Sequence, residues 1–228
     1  MRRVVIAAVL LAATPLLAVD QPVANPDPAR LEPEIAAFEA EDRAAPPVAG
    51  GTLFVGSSSI RYWNVARDFP SVRPIRRGYG GSHVSDTIHF ADRVLLPYRP
   101  GLIVFYAGDA DVAAGKSAAQ IAADTHTLVA LIHARLPGTP VVVIGTKPSP
   151  LHWPHMATIR AANAAVKADL AGDRFAAYVD AEQALLGSDG RPRAELYAEN
   201  GLNLNARGYA AWTAALRPTI ERMHRAAK

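Results

Sequence analysis

Five short runs of consecutive apolar residues punctuate the chain: GTLFVG (51–56), SVRPI (71–75), LIVFYAG (102–108), PVVVIGT (140–146) and FAAYVD (175–180). Each is too short for an ordinary helix and too continuously apolar for a sheet with one wet face, so each reads as a strand covered on both sides, the run at 71–75 being the weakest. Between them apolar residues return at helical spacing over roughly 83–96, 117–136, 155–171 and 205–224. In the last of these, Tyr209, Trp212, Leu216 and Ile220 share one face. An earlier helix is expected from Leu31, with Ile35 and Phe38 in register, and Pro46 and Pro47 stop it. Strands alternating with helices in this way predict an α/β fold, a three-layer sandwich around a doubly wound five-stranded parallel sheet. Ligands in such sheets bind outside the carboxyl ends of the strands, so the loops that directly follow strands carry the candidate chemistry.

The N-terminus departs from this pattern. MRRVVIAAVLLAATPLLAVD places two arginines before an apolar stretch from Val4 to Ala18 and then small residues, the layout of a secretory signal peptide over 1–18, with cleavage as late as residue 24. Its apolar core is short and interrupted by Pro15, which disfavours a spanning anchor. QPVANPDPAR then reads as a linker over 19–30, leaving 31–228 as one domain, a size that buries one substantial core. The chain has no cysteine, hence neither a lipid-modified cysteine nor disulfides, and the expected destination is the periplasm or beyond. Removing Arg2 and Arg3 lowers the formal charge from +3 to +1, so part of the basicity belongs to targeting. Arg73, Arg76 and Arg77 form a small cluster that reads as solvated surface, too narrow for a nucleic-acid groove.

Three post-strand loops stand out. In VGSSSIRYW a strand ends at Gly56 and a helix begins among three serines, which places Ser58 where a nucleophile would sit and leaves Ser57 or Ser59 as ordinary helix caps. RGYGGSH offers Gly80 and Gly81 as a turn able to aim a backbone N–H at a ligand. AGDADVAAG carries Asp109 and Asp111, a poor cation site because no further oxygen ligands accompany them. No cofactor or metal is expected. Near the C-terminus, ENGLNLNARGYAAW sets Asn200, Asn203 and Asn205 at the start of the last helix, residues suited to a tight turn and a cap but unable to exchange a proton near neutral pH.

Together these segments resemble the SGNH hydrolase family, the GDSL-type esterases and lipases, over essentially the whole chain from about Leu31. The resemblance implies the SGNH/flavodoxin-like sandwich and a serine ester hydrolase ancestry. It puts Ser58 at the nucleophile position, with Ser57 where many members have Asp. Gly81 falls at the glycine whose N–H enters the oxyanion hole, and Ala110 at the position where the family usually carries an oxyanion-hole Asn. Asn200 stands at the family Asp and Asn203 at the family His. Both protonatable groups are thus replaced by near-isosteric amides, leaving the outline of a site whose base is missing.

Loss of the base costs roughly a millionfold in a serine protease, and loss of one oxyanion donor roughly 100- to 1000-fold, penalties that do not simply multiply. An active enzyme would need a displaced base, and His83, His152 and His155 lie in loops on the expected side of the sheet, with Glu195 and Glu199 as orienting acids. His89, His126 and His133 fall on helical stretches and read as surface or packing residues. The alternative is a non-catalytic module that holds a small-molecule or glycan acyl ester through Ser58 and Gly81.

Overall fold

The computed structural model describes residues 21–227; the signal-like stretch at 1–18 lies outside the described residues. The apolar runs form strands β1 (Thr52–Gly56), β2 (Pro74–Gly78), β3 (Leu102–Tyr106), β4 (Val141–Ile144) and β5 (Ala176–Val179). They lie in the order β2-β1-β3-β4-β5, and every neighbouring pair is parallel. The order reverses direction at β1, so the crevice beside the carboxyl end of β1 is the topological switch point.

Helices cover both faces. On one side lie α1 (Glu32–Ala44), α4 (Val84–His89), α5 (Ala91–Val94), α7 (Ala118–Arg135) and α8 (Met156–Asp169). Ile35, Val94, Leu128, Ile132 and Val166 from these helices pack on Leu53, Val55, Ile103, Phe105, Val141 and Val143. On the other side, α2 (Ser58–Arg61), α3 (Val65–Asp68) and α9 (Ala206–Ala226) set Ile60, Val65, Trp212, Leu216 and Ile220 against Phe54, Leu102, Val104, Tyr106, Val142 and Ile144. Alternate residues of each strand serve opposite layers, which is why the runs are continuously apolar. Trp63 and Trp212 are fully buried, with ring centroids 4.9 Å apart, so they belong to the core. The remaining short helix, α6 (Asp109–Ala113), follows β3.

Two boundaries differ from the sequence expectation. The second strand runs 74–78, not 71–75: Pro70–Val72 close a 3-10 turn and Arg73 takes a left-handed φ of 49°, so extended backbone begins only at Pro74. A proline is tolerated there because it is the first residue of an edge strand. The helix expected over 83–96 is divided into α4 and α5, followed by a 3-10 turn, Leu96–Tyr98, around Pro97, whose ring nitrogen has no N–H to extend an α-helix. Arg77 also departs from expectation. It is buried, paired with Asp42 and donating to the Tyr98 hydroxyl at 2.6 Å, so this member of the basic cluster is structural and not solvated. Residues ahead of α1 are docked on the domain: Gln120 exchanges two hydrogen bonds with the backbone of Val23, and Arg30 pairs with Asp86. Among the described residues no helix is long and apolar enough to cross a membrane.

Candidate active site

The site is built at the end of β1. Gly56 has a φ of 133°, and a Cβ there would fall 1.9 Å from the Tyr106 carbonyl oxygen, so only glycine lets the chain turn this close to β3. Ser57 N–H then donates to that same carbonyl at 2.9 Å, and α2 starts at once with Ser58. Ser57 occupies the N-cap position but its hydroxyl makes no capping bond, so the ordinary capping role expected for it is not the one it plays. The Ser58 hydroxyl instead donates to Oδ1 of Asn203 at 3.2 Å, spanning 145 residues of sequence.

The C-terminal loop is shaped to deliver Asn203. Asn200 Oδ1 accepts from the backbone N–H of Leu202 and of Asn203, each at 3.0 Å, and Gly201 takes a left-handed φ of 61°. Asn205 caps α9 by accepting from the N–H groups of Arg207 and Gly208, while its Nδ2 donates to the carbonyls of Glu195 and Tyr197. Of the three amides, one shapes the turn, one meets the serine and one starts the helix. Asn200 turns its carboxamide oxygen toward backbone N–H groups and makes no hydrogen bond to the Asn203 side chain among the described residues.

The two other positions that the resemblance assigns flank β1 from either side. Gly81 follows β2, takes a φ of 68°, and has open space where a Cβ would lie. Its loop is fastened from α1, because Gly80 N–H donates to the Glu34 carboxylate at 3.2 Å. Ala110 follows β3 in the first turn of α6, where a methyl group offers no side-chain donor.

Of the histidines considered as displaced bases, two face aspartates and the third is exposed. His83 is buried with Nδ1 3.5 Å from Asp111, and His152 is buried with Nδ1 3.9 Å from Asp109. His155 is exposed, its ring 6.2 Å from that of His152. None of the three hydrogen-bonds Ser58, and Glu195 and Glu199 remain exposed. His126 and His133, read as surface or packing residues, lie beside Asp169 and Asp173.

Sequence patterns did not disclose the buried charge under the site. Asp109 accepts from the Tyr106 hydroxyl at 2.6 Å and from the Lys147 ammonium at 3.0 Å, all three side chains being buried. Burial, the largest influence, pushes the Asp109 carboxyl up; the Lys147 ammonium, with the nearby His152 ring and the hydrogen bond from the Tyr106 hydroxyl, outweighs it and holds the group at about 2. Asp111 is likewise spent on Lys116, 2.8 Å away, and on Val84 N–H at 3.1 Å, which ties the loop after β3 to the start of α4. The two aspartates therefore answer lysines. A lysine after a strand ordinarily reads as surface, so its type alone gave no signal of burial.

A groove of about 390 Å³ opens beside Asn203, lined among others by Tyr62, Asn64, Arg67, Leu204 and Tyr209. This too was invisible beforehand, because its walls come from residues some 140 positions apart in sequence.

A serine on a strand-to-helix turn at the switch point of a parallel sheet, met there by a side chain from the loop before the last helix, describes an α/β domain of hydrolase type. Residues 55–211 match the GDSL-like Lipase/Acylhydrolase family, and the chain belongs to it. A comparison with curated proteins finds no match. Among solved structures, one similar in fold is described as a putative platelet activating factor from Streptococcus pneumonia, with TM-score 0.74, 17% identity, and coverage of 84% of this chain and 94% of that one. A GDSL-like lipase from Bacteroides thetaiotaomicron aligns with TM-score 0.70, 17% identity and coverage of 82% and 97%. A catalytic mutant of an acetylxylan esterase from Geobacillus stearothermophilus aligns with TM-score 0.60, 13% identity and coverage of 75% and 94%.

Proposed function

We propose that this is an exported SGNH hydrolase-like protein that binds acyl esters, those of acetylated glycans included, at Ser58 and has lost most or all of the family's catalysis. One observation carries the reading: the Ser58 hydroxyl donates its hydrogen to a carboxamide oxygen, Asn203 Oδ1 at 3.2 Å. An amide accepts a hydrogen bond but cannot take the proton, so the serine is held but not activated. Ala110 removes a second contribution, the side-chain donor that would steady developing negative charge on the ester oxygen. What remains is a shaped crevice with Ser58 and Gly81 as polar contacts. The named activities of structural relatives, acetylxylan esterase among them, support an acyl ester as ligand. Export rests on the arginine-then-apolar pattern at the N-terminus, and N-terminal sequencing of the mature protein from a periplasmic fraction tests it: a chain that keeps Met1 in the cytoplasm refutes export.

The catalytic reading is tested with p-nitrophenyl acetate. The unchanged protein is expected to show no turnover that Ser58→Ala removes, whereas the triple variant Ala110→Asn, Asn200→Asp, Asn203→His is expected to gain Ser58-dependent hydrolysis. Turnover by the unchanged protein that vanishes in Ser58→Ala and in His83→Ala, His152→Ala or His155→Ala would establish an active esterase with a displaced base and overturn the proposal.

A further inference from the structure

The groove is not lined by Ser58 itself but meets it through Asn203, which lines the groove and accepts the Ser58 hydrogen bond. Its lining includes Asn203, Leu204, Asn205 and Ala206 but neither Gly81 nor Ala110. In a serine hydrolase the base hands its proton to the leaving group, so the alcohol part of an ester lies on the base's side and the carbonyl oxygen on the oxyanion side. The groove is therefore on the alcohol side.

Its walls describe what that alcohol should look like. Tyr62 is one of the few large apolar side chains left exposed among the described residues, at 54%, and the Arg61 guanidinium lies over its ring, 5.8 Å from the centroid. Ala198, Leu204 and Ala206 add apolar surface. Around this surface several polar atoms have no hydrogen-bond partner among the described residues. Asn64 uses its Oδ1 to cap α3, accepting from Arg67 N–H at 3.1 Å, and leaves Nδ2 unused. Arg67 gives Nε and Nη2 to Asp68 and leaves Nη1 unused. Asn203 spends Oδ1 on Ser58 and leaves Nδ2 unused. A long acyl chain would leave these donors unsatisfied, whereas a hydroxylated ring offers an apolar face to an aromatic and oxygens to the donors.

We infer that this groove is a sugar subsite, with Tyr62 as the platform on which a pyranose ring of the ester's alcohol part stacks and Asn64 and Arg67 as its hydroxyl-recognising donors. The inference rests on the reading of Ser58 as an ester-binding centre and names the alcohol that centre receives. Tyr62 is a specificity residue here and touches no reacting atom.

Calorimetry with xylotriose, acetylated xylotriose and p-nitrophenyl butyrate tests it on the unchanged protein, Tyr62→Ala, Tyr62→Phe and Ser58→Ala. Tyr62→Ala is expected to weaken both sugars roughly tenfold with an unchanged melting temperature, and Tyr62→Phe to stay within roughly threefold of the unchanged protein. Ser58→Ala is expected to weaken the two esters, acetylated xylotriose and p-nitrophenyl butyrate, and to leave xylotriose unchanged. Equal sugar affinity in Tyr62→Ala overturns the subsite, and so does binding of p-nitrophenyl butyrate without either sugar; in both cases the ester-binding reading survives if Ser58→Ala still weakens the ester. Binding of none of the three sinks both.

Discussion

Asn203 shows how much chemistry one side chain decides. It accepts the hydrogen bond of Ser58 but cannot take its proton, because a carboxamide accepts but is not protonated near neutral pH. Replacing it alone with His returns a base without the carboxylate that orients it. In a serine protease, exchanging the orienting Asp for Asn lowers kcat about ten-thousandfold. The single variant Asn203→His is accordingly expected to give Ser58-dependent kcat/KM several orders of magnitude below that of the variant carrying Ala110→Asn and Asn200→Asp as well. Equal values for the two would show that Asn200 already does the orienting. Asp109 makes the complementary point about a residue that acts only through its surroundings. Its carboxyl sits at about 2 when folded, below the ordinary value of 3.8, so it adds stability that is fully present above pH 4 and disappears as pH falls toward 2. The magnitude is of the order of 2 kcal/mol. Asp109→Asn is expected to flatten this acid limb in urea denaturation followed against pH, and to cost about 3–5 kcal/mol near neutrality by leaving the Lys147 ammonium buried and unpaired. An undiminished acid limb in the variant would remove Asp109 as its source.

Elements carry the site by where they begin. The last helix was legible from the 3.6-residue recurrence of Tyr209, Trp212, Leu216 and Ile220, and so was the cap at Asn205, because an amide just before such a pattern has a known local use. Asn205 does more than cap: its Nδ2 ties the helix start to the carbonyls of Glu195 and Tyr197, holding the loop that presents Asn203. Asn205→Ala is expected to cost about 2 kcal/mol in urea denaturation, at the upper end for an N-cap, whereas Asn205→Asp keeps the cap and loses only the two donations. Equal losses from both would assign the whole effect to the amide nitrogen. At the same helix start, a Cβ on Gly208 would meet the Leu196 carbonyl oxygen at 2.1 Å, so Gly208→Ala is expected to destabilise even though alanine is the better helix former. Strand β2 was read three residues early because its apolar signal is weak and its register depends on the left-handed turn at Arg73, a conformation that arginine rarely advertises in sequence.

At the scale of the whole molecule, the fold was written in pattern and the site only in resemblance. Period and run length sufficed for five parallel strands between two helical layers, because burial on both faces is a property that sequence displays directly. The lysine–aspartate pairs beneath the loops and the groove at Tyr62 depend on residues that meet only when α2, α3, α6 and α9 converge on the carboxyl edge of the sheet. On the proposed reading, the scaffold's stability does not depend on a working catalytic site. Ala110, Asn200 and Asn203 either lie at the edge of the site or serve locally in ways that the residues the resemblance implies can reproduce: a carboxylate in place of the Asn200 amide still accepts from the N–H groups of Leu202 and Asn203, as the carboxamide does. Combining Ala110→Asn, Asn200→Asp and Asn203→His is therefore expected to leave the melting temperature within about 3 °C, far less than the several degrees that a core substitution costs a domain of this size. Differential scanning fluorimetry of the triple variant beside the unchanged protein measures this directly. A fall of about 10 °C or more would mean that these side chains are themselves part of the fold's stability.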